Sequence, residues 1–205
     1  MENDYALLAK NLKRHNMDFF YAESRGKLLS LLTEFIRAGS TVGCGDSVTL
    51  EESGVFDFLR TYPCTFYDKH QKGLISSEKR EIYIKNFSAD TFITGTNAIT
   101  EEGGLFNIDG NGSRVAPIIY GPLQVIVVVG KNKIVPDFET ALLRTRQIAA
   151  PLDASRLKKE TPCVKLKKCI NCNHKDRICN SFVYISRQAQ KNRIKVILLN
   201  EEIGY

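Results

Sequence analysis

Residues 124–129 read Gln-Val-Ile-Val-Val-Val, a β-branched and almost unbroken apolar run. Side chains alternate between the two faces of a strand, so a segment apolar at consecutive positions needs cover on both faces. A strand of that kind belongs in a parallel sheet with helices on either side, and the rest of the chain has to supply them.

It does so by alternation. Leu7, Leu8 and Leu12 lie among Lys10, Lys13 and Arg14, an amphipathic helix over residues 5–15. Residues 17–22 form an apolar, aromatic strand. Ser24 is placed to cap a helix through Leu28, Leu32 and Ile36, with Gly39 just past its end. Further strands are expected at 40–43, 65–67, 91–94, 105–108, 182–185 and 195–199. Helical pieces are expected at 49–60, broken near Gly54, and at 76–87 and 115–120. Asp137 caps a last helix to about Ala149, where Pro151 stops it. The fold class that follows is α/β and Rossmann-like, a mostly parallel sheet with helices on both faces. At 205 residues the chain suits one domain, residues 1–205, with a helix-containing N-terminal segment 1–38 and a cysteine-rich loop 161–180. No apolar run approaches the roughly 20 residues needed to cross a bilayer. The acidic Met-Glu-Asn-Asp-Tyr start is unlike a signal peptide, so a cytoplasmic location is expected.

Two glycine-rich stretches follow expected strands. The first is Gly43-Cys44-Gly45-Asp46-Ser47-Val48-Thr49. Its backbone N–H groups and the hydroxyls of Ser47 and Thr49 are suited to an anion, while Asp46 suits a hydroxyl or a cation. The spacing is neither that of a dinucleotide fingerprint nor that of a P-loop. The second stretch, residues 94–112, holds five of the 14 glycines. Gly95, Asn97, Asn107, Asp109 and then Arg114 supply donors, acceptors and a planar cationic fork. Glu101 and Glu102 sit between those glycines, and either carboxylate could act as a base or nucleophile if burial raised its pKa. An ordinary hairpin would account for the same stretch.

Charge is uneven. Residues 156–195 carry a net charge of +10, and the rest of the chain −4. Within the basic segment stand Cys163, Cys169, Cys172 and Cys179, with His174 as a spare candidate ligand. The Cys169-x2-Cys172 pair is a metal knuckle by spacing. Four thiolates suit zinc or an iron–sulfur cluster, and the surrounding lysines and arginines would offset the negative charge of either; redox-active thiols and plain cysteines are the other readings of the same four residues. The segment contains few aromatics to stack on bases, which argues against nucleic acid. Arg144 and Arg146 read as surface charges, and His15 and His70 as surface or packing residues.

Val42-Gly-Cys-Gly-Asp-Ser-Val-Thr-Leu50, the run Ile93–Arg114, Tyr120–Val135, Ala149-Ala-Pro-Leu-Asp-Ala154 and the cysteine cluster together resemble the LUD-domain (lactate-utilisation) family. The resemblance implies a fold akin to ribose-5-phosphate isomerase, glucosamine-phosphate deaminase and CoA transferases. In that group a glycine-rich turn holds phosphate, a role that would fall here on Gly43, Gly45, Ser47 and Thr49. Class I CoA transferases use a nucleophilic Glu in a Glu-x-Gly setting. Glu101-Glu102-Gly103 is similar, which favours Glu101 as the catalytic carboxylate. The family's named role, lactate oxidation beside iron–sulfur subunits, implies a small anionic ligand such as an organic acid, a sugar phosphate or a CoA-like molecule. It also implies iron–sulfur oxidoreductase partners. A competing expectation is an accessory subunit carrying iron–sulfur or zinc without catalysis of its own. The chain resembles the small form of the family, without a long ferredoxin-like extension.

Overall fold

Each strand and helix expected from the sequence forms, and two short strands and two short helices join them. The computed structural model describes residues 5–205. In chain order the elements are α1 (Ala6–Arg14), β1 (Met17–Ala22), α2 (Arg25–Phe35), β2 (Thr41–Cys44), α3 (Val48–Glu52), α4 (Val55–Thr61), β3 (Thr65–Phe66), α5 (Ser76–Lys85), β4 (Thr91–Gly95), β5 (Ala98–Thr100), β6 (Leu105–Asp109), α6 (Val115–Ile119), β7 (Gln124–Gly130), β8 (Ile134–Val135), α7 (Phe138–Arg144), α8 (Ala150–Arg156), α9 (Pro162–Leu166), β9 (Ser181–Ile185) and β10 (Ile194–Leu199). Ser24 caps α2 by accepting from the Lys27 N–H at 3.2 Å, and Asp137 caps α7 through the Thr140 N–H at 2.8 Å. No helix among the described residues is long and apolar enough to cross a membrane.

The main sheet has six strands in the order β1-β10-β7-β4-β2-β3, all parallel. β7 is central and shows the two-sided burial that its sequence demands. Ile126 and Val128 pack with Leu28 and Leu32 of α2, Leu50 of α3 and Phe56 of α4. Val125, Val127 and Val129 point the other way, into a cluster with Leu8 and Leu12 of α1 and Ile118 of α6.

That second face differs from a simple helical layer. Ile99 and Leu105 also pack there, from a four-stranded sheet in the order β8-β5-β6-β9. β5 and β6 form an antiparallel hairpin, and β9 runs antiparallel to β6. The outer side of this small sheet buries Ala98, Phe106 and Val135 against Ala141 of α7. β5 and β8 are three and two residues long, too short to show a period of two in sequence.

Pro151 does not stop the helix. The chain continues from α7 through a π-helical turn, Thr145–Ala149, into α8, with Pro151 in the first turn of α8. Proline lacks an N–H to donate and crowds the preceding turn. The wider π turn just before it accommodates both effects.

β2 lies beside β4, yet the chain leaves β2 toward β3 and leaves β4 toward β7, on opposite sides. Such a reversal opens a crevice beyond the carboxyl ends of the two strands, where α/β proteins bind ligands.

Candidate anion-binding site

Two adjoining cavities, about 290 Å³ and about 60 Å³, occupy that crevice, and Asp46, Asn97, Arg114 and Asp153 line both. Close backbone approaches make the walls possible. A Cβ on Gly45 would lie 2.5 Å from Thr94 Oγ1 and 2.8 Å from Arg114 Cγ. A Cβ on Gly95 would collide with Ser47 Oγ. Gly43 is inside β2, against the Asn86 side chain.

The turn after β2 is largely occupied by internal bonds. The Gly45 N–H donates to the Ile93 carbonyl at 2.9 Å, and Ser47 Oγ caps α3 through the Leu50 N–H at 3.3 Å. α3 has only five residues, so its N-terminal dipole is short. Thr49 is buried, and its Oγ1 accepts from Lys133 Nζ at 2.6 Å. Lys133 also donates to the Thr96 carbonyl at 3.3 Å.

Arg114 organises the opposite wall. Its Nη1 donates to Asn107 Oδ1, and its Nη2 to Asn97 Oδ1 at 3.2 Å and to the Ile108 carbonyl at 2.8 Å. Its Nε faces Asp109 Oδ2 at 3.5 Å. Asp109 Oδ1 takes the N–H groups of Asn111 and Gly112, closing the turn. Most of the Arg114 fork is therefore spent on the protein itself. Asn107 Nδ2 stays buried without a partner.

The structure adds residues that the sequence did not single out. Arg156 Nη2 bridges Asp46 at 2.9 Å and Asp153 at 2.8 Å. Tyr205 Oη donates to Asp153 at 3.1 Å. Burial alone would raise the Asp46 carboxyl, but Lys69 and Arg156 outweigh it and hold the group below the usual carboxylate range. Lys69 and Lys133 stand on the cavity walls at 8% and 3% exposure. The Lys69 ammonium lies 5.6 Å over the Tyr83 ring, and burial lowers its pKa. Burial brings Lys133 down to about 7. Neither lysine has an ion pair among the described residues. Across both cavities five cationic side chains (Lys69, Arg114, Lys133, Arg156 and Arg177) face three carboxylates. Of the added residues, Asp153 and Lys133 had a signal in sequence, inside the Ala149–Ala154 and Tyr120–Val135 runs.

The family model for the LUD domain matches residues 5–199. The chain belongs to the LUD-domain family. Its fold is that of a DUF162 family protein from Deinococcus radiodurans, with a TM-score of 0.55 at 11% identity over 97% of this chain and 98% of that one. The structure of eIF2B beta from Chaetomium thermophilum aligns over 57% of this chain and 44% of that one, at 15% identity. Its TM-score of 0.39 is too low to bear on the fold. No curated protein matches.

In this LUD domain the β5–β6 hairpin carries Glu101 and Glu102 away from the cavities. Both are exposed at the hairpin turn, and neither lines either cavity. The Glu101 carbonyl accepts from Asn11 Nδ2 at 2.8 Å, so this turn is pinned to α1. Arg144, read from sequence as a surface charge, instead donates to the carbonyls of Asn97 at 2.7 Å and Asn132 at 3.2 Å. It braces the loop that carries Asn97. His174 Nδ1 accepts the Asp176 N–H at 3.2 Å. Cys163, Cys169, Cys172 and Cys179 are half-buried free thiols that line one small cavity behind α8.

Proposed function

We propose that this LUD domain binds a small hydroxylated anion, an organic acid or sugar phosphate, in the crevice beyond β2 and β4. The reading rests on Lys69 and Lys133, two buried amines on the cavity walls with no carboxylate at ion-pair distance among the described residues; Asp46 acts on Lys69 only from farther off. An unpaired buried ammonium costs several kcal/mol. A ligand anion would supply the missing charge. Asp46 and Asp153, both held by Arg156, are acceptors for ligand hydroxyls. A volume of about 290 Å³ suits a ligand of this size, near the lower end for small-molecule sites. Only one end of a CoA-like molecule would fit. The family's lactate-utilisation name is consistent with a hydroxy acid. Glu101 has no part in this reading.

Calorimetric titration with lactate, inorganic phosphate and ribose 5-phosphate tests it, using the full chain and Lys69→Met. At least one probe should bind the wild type, with affinity falling about tenfold or more in the variant, the scale of a lost charge-assisted contact. Absence of binding by every probe, or equal binding by both proteins, would remove the anion reading.

A further inference from the structure

Lys133 closes the short 3₁₀ turn that joins β7 to β8. It is buried at the wall of the smaller cavity, which Ser47, Gly95 and Asn97 also line. Its amine donates to Thr49 Oγ1 at 2.6 Å and to the Thr96 carbonyl at 3.3 Å. An ammonium has three N–H bonds to satisfy, whereas a neutral amine has two and a lone pair. These two acceptors therefore serve the neutral form in full, with its lone pair left over, and leave the charged form one acceptor short. Burial, then Arg144 and Arg114, bring the group down to about 7, so free amine is present at neutral pH. The backbone at Gly204 passes close by: a Cβ there would collide with Thr49 Oγ1 and lie 3.1 Å from Lys133 Nζ. Asn132 Nδ2 donates to the Gly204 carbonyl at 3.0 Å and holds that cover in place. An amine that burial keeps partly unprotonated is a nucleophile as well as a charge.

From this arrangement we infer that Lys133 captures a carbonyl-bearing anion, a 2-oxo acid or the open chain of a sugar phosphate, as an imine. The inference rests on the anion reading of the crevice and narrows its ligand to one with a ketone or aldehyde group. The Nζ lone pair forms the C–N bond while the carbonyl π pair moves onto oxygen. The two amine protons leave with that oxygen as water, and the imine nitrogen takes one proton from solvent. The protonated imine restores a positive charge at Lys133, and the anionic group of the ligand supplies the counter-charge. The smaller cavity, about 60 Å³, has room for the carbonyl end of a ligand, and the adjoining cavity of about 290 Å³ takes the rest. Lys69 is placed differently. Its ammonium lies over the Tyr83 ring and Asp46 acts on it, and both favour the charged form. One buried amine thus suits charge pairing and the other suits bond formation.

The test is borohydride reduction of the full chain mixed with pyruvate, ribose 5-phosphate or lactate, followed by intact-mass and peptide mass spectrometry. Hydride converts an imine into a stable secondary amine. At least one of the two carbonyl probes should leave a single adduct per chain, mapped to Lys133 in the wild type. Lactate, which has no ketone or aldehyde, should leave none. Lys133→Met should lose the adduct, and Lys131→Met, which removes an exposed amine two residues away, should keep it. No adduct with either carbonyl probe, modification spread over the exposed lysines, or the same adduct in Lys133→Met would overturn the inference. Calorimetry on the same mixtures separates the two readings. A carbonyl probe that binds without leaving an adduct overturns the imine and leaves the anion site standing, whereas no binding by any probe removes both.

Discussion

Replacement of Arg114 by Met removes the group on which one wall of the crevice is built. The guanidinium and the Asp109 carboxylate are 11% and 8% exposed, so the solvent screens little of what is lost. Asp109 would keep the N–H groups of Asn111 and Gly112 on one oxygen and lose its cation on the other. Asn97 Oδ1 would keep the Ile108 N–H. Asn107 would fare worst: its Nδ2 is already unpaired, and Arg114 is the partner of its Oδ1. Breaking a buried pair by removing one member costs about 3–5 kcal/mol. A buried amide left bare adds about 1–3 kcal/mol. The two terms overlap, so about 4 kcal/mol is expected, a large share of the roughly 5–15 kcal/mol that holds a domain folded. With a urea m-value of about 2 kcal/mol/M, the unfolding midpoint should fall by about 2 M. Asp109→Asn in the same chain removes the stranded charge, so the double variant should be more stable than Arg114→Met alone. A midpoint shift under about 0.5 M, or a double variant less stable than the single one, would refute the account of Arg114 as the organiser of this wall.

Gly95→Ala should lower stability by about 1–3 kcal/mol in thermal unfolding, because its methyl group meets Ser47 Oγ. Ser47→Gly in the same chain should recover most of that loss, since glycine at an N-cap costs only about a few tenths of a kcal/mol. Lys133 holds its proton less tightly folded (about 7) than at its ordinary value of 10.5. Between those values the unfolded chain keeps a proton that the folded chain lacks, so this group's contribution to stability rises with pH, by at most about 1.4 kcal/mol per unit. From pH 7 to pH 9 the urea midpoint of the wild type should therefore rise relative to that of Lys133→Met, and parallel profiles would contradict the burial argument. An anion bound beside Lys133 should draw its proton back, so calorimetry at pH 8 in buffers of differing ionisation enthalpy should register proton uptake that Lys133→Met lacks.

The main sheet was legible because its signals are local. The unbroken run in β7, the caps at Ser24 and Asp137, and the glycines that end elements each act within a few residues. The second sheet was legible only in part: an ordinary hairpin was one reading of residues 94–112, and β5 and β6 form one, but β8 joins through partners about 35 residues away in the chain, such as Ile134 with Ile99. Pro151 misled for a related reason, since whether proline ends a helix depends on the width of the turn before it. The site was half legible. Asp46, Asn97, Asp109 and Arg114 meet at the crevice as their loops suggested. Glu101 shares a loop with them and still lies apart, because a hairpin separates its turn from its ends.

The basic segment shows most clearly why charge in sequence and charge at a surface differ. Its net charge is +10, but three of its four arginines, Arg156, Arg177 and Arg193, are engaged within the fold. Arg193 is 5% exposed and donates to the carbonyls of Pro117, Ile118 and Pro122, closing the end of α6. Arg177 is engaged on the cysteine loop and Arg156 on two aspartates. Guanidinium groups suit these positions because they present several donors in a fixed plane and are weakly hydrated. The lysines of the same segment mostly stay outside. Lys69 and Lys133 invert that division: they come from stretches without charge bias, yet they are the buried amines. An ammonium in such a place has neither a fork to satisfy carbonyls nor, here, a carboxylate at ion-pair distance, although Asp46 acts on Lys69 from farther off. Among the described residues these two are buried amines with no ion pair, and so the ones for which a ligand's charge matters most.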